Sequence, residues 1–195
     1  MAQQTDVTQY EAVDALISNT VKQFGQLDVF VNNAGIGPRT MTKTHSSTFE
    51  DWNRVIAVNQ TGVYYGMRRA LEQMMEQGFG NIVNVASLAG LKASGNNISY
   101  AASKFAVVGM TKSAALEYAK KNIRINAVCP AYTHSALLNQ LLGVRPDMED
   151  ILKKVIPMKR FGEAAEIAEA ILWLASEHTQ FITGQTITLD GGASL

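Results

Sequence analysis

Short apolar runs alternate with helical segments along this chain, and this alternation constrains its fold more than any other feature. The apolar runs lie at 27–31, 82–85, 123–129 and 185–189, and each has the length of a buried strand. Helical spacing of apolar residues fills the stretches between them, as at 61–77 and 100–120. The helix at 100–120 is apolar on most of its circumference and is expected to be buried on several sides. Strands separated by helices of this length predict an α/β fold, a doubly wound parallel sheet with helices on both faces.

The charge pattern narrows the classes of partner. The 195 residues predict a single domain over 1–195, with a net charge of zero and no run of like charges. We therefore expect no nucleic-acid partner and no membrane-surface partner. Charged residues make up 17% of the chain, below the usual share of ~25%. Part of the surface is thus expected to face another subunit, which predicts a homo-oligomer, a dimer or tetramer.

The cysteine and histidine content argues against a metal centre. Cys129 is the only cysteine, and the three histidines lie far apart without ligand spacing. The polar N-terminus is unlike a signal peptide, and no apolar run approaches the ~18 residues of a membrane span. We expect no metal and a cytoplasmic location.

Polar residues follow three of the predicted strands. Asn33 ends the first, Ser87 follows the second, and the segment 130–135 follows the third. Ligands of parallel α/β sheets bind at the carboxyl ends of the strands. These residues are therefore expected to line one cleft. The segment 133–157, which mixes leucines with charged residues, is expected to cover it.

Tyr100 and Lys104 lie four residues apart and share one face of a predicted helix. A tyrosine with its usual pKa of ~10 is a poor base, but a nearby ammonium favours the phenolate. Lowering that pKa to ~7 requires roughly 4 kcal/mol. Taken alone, the pair is also consistent with a packed tyrosine beside a solvated lysine.

The combination of motifs resembles the short-chain dehydrogenase/reductase family over nearly the whole chain. The matching segments are Asp6-Val7, Asn32-Asn33-Ala34-Gly35, Asn59, Ser87, Tyr100-x-x-x-Lys104, Thr183-Gly184-Gln185 and Asp190-Gly191-Gly192. The resemblance implies a Rossmann-like fold and hydride transfer between NAD or NADP and a secondary alcohol or ketone. The sequence indicates only a small or medium, partly apolar alcohol as substrate.

The resemblance also implies four catalytic residues. Tyr100 would be the general acid in reduction and the base in oxidation, with its pKa lowered by Lys104. Ser87 would hydrogen-bond the substrate oxygen, and Asn59 would hold a water that relays protons beyond Lys104.

The cofactor contacts implied by the resemblance are spread along the chain. Asp6 and Val7 would contact the adenine, and Asn33, Ala34 and Gly35 the adenosine ribose side. The implied contacts nearer the nicotinamide are Tyr100, Lys104, Pro130, Thr133 and Ser135. Two positions depart from the family pattern, because Ala131 stands at a usual glycine and Ser135 at a usual threonine.

The family's Thr-Gly-x-x-x-Gly-x-Gly turn, whose glycines let the backbone approach the pyrophosphate, is absent from this sequence. We therefore expect the N-terminal strands of the fold to be missing, cofactor binding to be weakened or lost, and the strand at 27–31 to form an exposed apolar edge. The NAD or NADP preference cannot be assigned from these residues.

Three hypotheses remain at this point. The first is an oxidoreductase with the catalytic residues named above. The second is a truncated, catalytically impaired family member that acts as a structural or subunit-association module. The third, an unrelated doubly wound binding domain, leaves the joint motif match unexplained.

Overall fold

The fold is built on one four-stranded parallel sheet. The computed structural model describes residues 2–195, so residue 1 of the predicted domain lies outside the described part. The strands are β1 (Val29–Asn32), β2 (Gly80–Val85), β3 (Ile123–Pro130) and β4 (Thr186–Leu189), and their order in the sheet follows their order in the chain. All three neighbouring pairs are parallel, as the alternation of strands and helices predicts.

Within residues 2–195, seven α-helices connect and flank these strands. They are α1 (Tyr10–Phe24), α2 (Phe49–Ile56), α3 (Gly62–Gln77), α4 (Ile98–Tyr118), α5 (Ala136–Val144), α6 (Met148–Val155) and α7 (Ala164–Ala175). A π-helical turn, Ala57–Thr61, joins α2 to α3. A short 3-10 turn, Leu88–Gly90, follows β2.

Local sequence signals account for several of the helix ends. Gly25 stops α1 with a φ of 88°, a conformation that glycine adopts without a steric penalty. The Thr48 hydroxyl caps α2 by accepting a hydrogen bond from the Asp51 amide. At the start of α1 the Gln9 side chain makes no cap, and the Thr8 hydroxyl donates to Asp6 Oδ1 at 2.8 Å.

Helices cover both faces of the sheet. One face packs against α1, α3 and α4 in the main core, where Met74, Ile82, Val107 and Ile125 are fully buried. The other face packs against α7 through Val83, Val128 and Leu174. This arrangement confirms the doubly wound, Rossmann-like architecture.

Strand β1 lies at an edge of the four-stranded sheet. It pairs with β2, and its Val29 and Val31 side chains are more than one-third exposed. The expectation of an apolar edge at residues 27–31 is therefore met within the described chain.

Helix α4 is less enclosed than its apolar sequence predicts. Its inner side is buried along Lys104, Val107, Thr111 and Ala115, but Phe105 is 47% exposed and Leu116 is 85% exposed. The sequence pattern overestimated the burial of α4, because the helix also carries apolar residues on its outer side. Within the described chain, no other element covers those residues. Within residues 2–195, each helix is too short or too polar to cross a membrane.

Candidate active site

Ser87 is placed immediately beyond the carboxyl end of β2. Its backbone is extended, and its hydroxyl accepts a hydrogen bond from the Ala89 amide at 3.1 Å. This bond begins the 3-10 turn Leu88–Gly90, which turns the chain away from the sheet edge. The Ser87 hydroxyl is therefore held at the carboxyl ends of the strands, where parallel α/β proteins bind ligands.

Tyr100 and Lys104 lie on the first turns of α4, which starts at Ile98. The Tyr100 phenol lies close to the Ser87 side chain. Lys104 Nζ lies 5.7 Å from the centre of the Tyr100 ring and donates to the Val85 carbonyl oxygen at 2.8 Å. The fold thus brings together Ser87, Tyr100 and Lys104, residues that are up to 17 positions apart in the sequence.

Burial dominates the electrostatics of this group. It lowers the pKa of Lys104 to about 8, and the neighbouring Cys129 thiol opposes that change. It also raises the pKa of the Tyr100 phenol, while the nearby Ser87 hydroxyl lowers it. The lowering of the Tyr100 pKa by Lys104 stays a prediction.

Asn59 lies fully buried in the π-helical turn between α2 and α3. Its Oδ1 accepts from the Ile36 amide at 2.8 Å, and its Nδ2 donates to the Ile36 carbonyl at 2.9 Å. Both main-chain groups of Ile36 are therefore tied to one side chain. Turns of the π type occur often at functional sites, and this one fixes the segment that follows β1.

Ser103 joins Asn59 to Tyr100, and it was not predicted from the sequence. Its hydroxyl accepts from Asn59 Nδ2 at 3.2 Å and donates to the Tyr100 carbonyl at 2.7 Å. A continuous set of hydrogen bonds thus runs from Ile36 to the main chain of Tyr100. The available signal was a hydroxyl residue on the same face of the predicted helix, one position before Lys104.

The residues expected on the adenosine side lie around two neighbouring features. Val7, Asn33 and Ala34 line a cavity of about 110 Å³ together with apolar residues of α1 and α3. Gly35 lies beside Lys104 and Asn59, because a Cβ at Gly35 would be 3.5 Å from Lys104 Nζ and 3.6 Å from Asn59 Oδ1. These placements fit a nucleotide that extends from the cavity to Lys104.

The other expected cofactor residues make mostly local contacts in this structure. The exposed Asp6 carboxylate accepts from the Thr8 amide and hydroxyl, which lowers the pKa of Asp6. Pro130 ends β3, and the Thr133 hydroxyl donates to the Ala131 carbonyl. The Ser135 hydroxyl caps α5 by accepting from the Leu138 amide. Pro130 is the last residue of β3, and Thr133 and Ser135 follow it. All three therefore lie at the carboxyl ends of the strands, as Ser87 does.

Across residues 2–195, His, Cys, Asp and Glu side chains do not gather in groups of three that could hold a metal ion.

The fold and these placements define a class: a doubly wound α/β protein with a Ser–Tyr–Lys group at the carboxyl ends of its strands. A family model described as enoyl-(acyl carrier protein) reductase matches residues 2–194. The chain therefore belongs to the short-chain dehydrogenase/reductase family, as the motifs predict, and its function is that of an NAD(P)-dependent oxidoreductase.

Named relatives support this assignment. Levodione reductase from Leifsonia aquatica is 36% identical over 97% of this chain and 72% of its own. A crystal structure of levodione reductase superposes with a TM-score of 0.93, covering 97% of this chain and 75% of that one. The chain thus spans about three-quarters of the length of these relatives.

Two further solved structures similar to this chain contain a bound nicotinamide cofactor. ElxO with NADP bound is 38% identical, with a TM-score of 0.92 over 98% of this chain and 77% of its own. NAD+-bound xylitol dehydrogenase is 31% identical, with a TM-score of 0.89 over 96% of this chain and 77% of its own. Proteins similar to this chain therefore bind one cofactor or the other.

Proposed function

We propose that this chain transfers hydride between NAD or NADP and a secondary alcohol or ketone, with Tyr100 exchanging the proton. The observation that carries the proposal is the contact of Tyr100 with Ser87 beside a buried Lys104 ammonium. A phenol between a hydroxyl and a cation can pass a proton to or from a substrate oxygen.

Each side chain has a role that follows from its placement. The Ser87 hydroxyl, adjacent to the phenol, donates a hydrogen bond to the substrate oxygen and stabilises the charge that develops there. Tyr100 gives its proton to that oxygen in reduction and takes it back in oxidation. The Lys104 ammonium favours the phenolate. Asn59 fixes the adjoining turn and holds a water that relays protons beyond Lys104.

The proposed cofactor residues are Asp6, Val7, Asn33, Ala34 and Gly35 on the adenosine side. Towards the nicotinamide they are Tyr100, Lys104, Pro130, Thr133 and Ser135. When bound, the nicotinamide supplies or accepts the hydride. The cavity of about 110 Å³ beside Val7 and Asn33, and the position of Gly35 next to Lys104 and Asn59, support this assignment. The choice between NAD and NADP is left open by this set.

The substrate proposal is a small or medium alcohol or ketone with an apolar part. Its support is the leucine-rich segment expected to cover the cleft, where α5 and α6 pack on a small core of Leu138, Leu152, Ile156 and Phe161 and Leu137 lies beside Gly37. The names of levodione reductase and xylitol dehydrogenase indicate that relatives act on a ketone and on a polyol. The non-enzymatic alternative is not favoured, since the chain falls in a family of enzymes.

We also propose a cytoplasmic location, a single domain and a homo-oligomer. The exposed Phe105 and Leu116 of α4, with Tyr64 and Met75 on α3, offer the apolar surface that a second copy would cover. Replacing Phe105 and Leu116 by glutamate is expected to reduce the mass measured by light scattering. Phe49, 89% exposed on α2, provides the control, because its replacement by glutamate should leave the mass unchanged.

The central experiment combines cofactor binding with turnover. NAD(H) or NADP(H) at millimolar concentration is expected to raise the melting temperature or quench the fluorescence of this chain. Tyr100→Phe should then bind cofactor but lose turnover, while Tyr118→Phe, at the far end of the same helix, should retain both. Absence of any cofactor response would refute the proposal for this chain, and undiminished turnover in Tyr100→Phe would refute the role of Tyr100.

A further inference from the structure

Gly90 is tied directly to Ser87 by the 3-10 turn that follows β2. Its amide donates to the Ser87 carbonyl at 2.9 Å, and the preceding Ala89 amide donates to the Ser87 hydroxyl at 3.1 Å. Gly90 is buried. The position of Gly90 therefore fixes both the main chain and the side chain of Ser87.

The other side of Gly90 lies against the main chain of α4. A Cβ built on Gly90 would be 2.6 Å from the Lys104 carbonyl oxygen and 2.8 Å from its carbonyl carbon. Real Cβ contacts essentially never fall below 3.0 Å. The obstructing atoms belong to the backbone of a buried helix, so they cannot turn aside as a flexible side chain would. Only glycine lets the turn approach α4 this closely.

We propose that Gly90 is a positioning residue that sets the distance between Ser87 and Tyr100 by allowing the Ser87 turn to dock on α4. This role rests on the proposed function of Ser87 and Tyr100, since Gly90 acts only through them. A larger residue at this position moves the turn outward and carries the Ser87 hydroxyl away from the phenol. The turn follows β2, whereas α4 leads into β3. The contact between Gly90 and Lys104 therefore defines how far apart the turn and the helix lie.

The first test reads the Ser87–Tyr100 contact without turnover. Tyrosine labelled with ¹³C at Cζ reports the ionisation of Tyr100 by NMR, with Tyr100→Phe identifying the signal. Ser87 lowers the pKa of Tyr100, so Gly90→Ala is expected to raise it, as Ser87→Ala does. In the Ser87→Ala background, Gly90→Ala should cause no further change, because the contact is already lost.

The matched control lies in the same loop. A Cβ added to Gly95 would meet no atom within 4 Å, so Gly95→Ala should leave the Tyr100 titration unchanged. In steady-state kinetics, Gly90→Ala is expected to lower kcat roughly 10- to 100-fold with little change in KM, since small misplacements of reacting groups have effects of that size. Gly95→Ala should behave as the unmodified chain.

Hydrogen exchange on the unmodified chain tests the docking even where Gly90→Ala does not fold. The Ala89 and Gly90 amides are expected to exchange as slowly as the amides of the buried part of α4, and far more slowly than the Gly95 amide. Rapid exchange at Gly90 would overturn the proposal. So would an unchanged Tyr100 titration in folded Gly90→Ala, or an effect that adds to that of Ser87→Ala. A chain without turnover still gives the NMR result, which separates this proposal from the proposed activity.

Discussion

Lys104 Nζ donates a hydrogen bond to the Val85 carbonyl oxygen at 2.8 Å, so the ammonium is anchored to the end of β2. Val85 is two residues before Ser87, and Lys104 is one helical turn after Tyr100. One bond therefore connects the strand that carries the hydroxyl to the helix that carries the phenol. The side chain of Lys104 is 4% exposed, which makes its charge sensitive to burial.

The first prediction concerns the pH dependence of stability. Burial lowers the pKa of Lys104 from 10.5 to about 8, so between these values the unfolded chain binds more protons than the folded one. The free energy of unfolding due to Lys104 should then rise with pH, by about 1 kcal/mol from pH 7 to pH 9. Urea titrations of the unmodified chain and of Lys104→Met measure the difference.

The pH range is chosen to avoid a neighbouring group. Burial raises the pKa of the Cys129 thiol from 9.0 to about 11, which acts in the opposite direction above pH 9. Lys104→Met should therefore lack the rise below pH 9. A stability difference that stays constant from pH 7 to pH 9 would contradict the burial argument.

The fold could be predicted from the sequence because its signals are local and periodic. Apolar runs and helical spacing indicated the four strands and the parallel sheet, and the strands pair in chain order. The exposed side of α4 was missed because Phe105 and Leu116 extend an apolar pattern that says nothing about what covers it.

The same reasoning predicted only some of the residues of the candidate site. Ser87, Tyr100 and Lys104 follow from motifs, but Ser103 and Gly90 matter through contacts between segments distant in the sequence. The anchoring of Lys104 was also missed, because the sequence cannot show that the Val85 carbonyl accepts a hydrogen bond from the ammonium.

The second prediction concerns Ser103, whose hydroxyl links Asn59 Nδ2 to the Tyr100 carbonyl. Ser103→Ala should destabilise the chain by about 1 kcal/mol, the usual size for one buried hydrogen bond. It should also lower kcat several-fold and alter the pH profile, because Asn59 and the first turn of α4 lose their direct connection. Ser103→Thr, which keeps the hydroxyl, should restore the profile.

Thr111 provides a matched control on the same helix. Its hydroxyl accepts from Asn84 Nδ2 at 2.9 Å and donates to the Val107 carbonyl at 2.8 Å, the same pattern two turns further along. Thr111→Val should lower the melting temperature to a similar extent with no change in the pH profile. Equal kinetic effects of the two variants would assign Ser103 a purely structural role.

The third prediction concerns the contact between α5 and the segment after β1. Leu137 of α5 lies against Gly37, where an added Cβ would be 2.7 Å from Leu137 Cδ1. Gly37 is held in place because Arg54 Nη2 donates to its carbonyl at 2.8 Å. In Gly37→Ala the flexible leucine must therefore move rather than the backbone. We expect a stability change below ~1 kcal/mol, since the moving group is a half-exposed side-chain end.

The effect of Gly37→Ala should instead be seen in α5, the helix that we propose covers the cleft. Amides of 136–144 are expected to exchange faster, and KM to change more than kcat, because α5 loses its contact with the fixed segment. Gly143→Ala on α5 has open space around the new methyl group and should preserve both properties. Adding Leu137→Val to Gly37→Ala makes room for that group and should recover part of the lost protection. If the amides of 136–144 exchange at the same rate in Gly37→Ala and in Gly143→Ala, the contact between Gly37 and Leu137 does not hold α5 over the cleft.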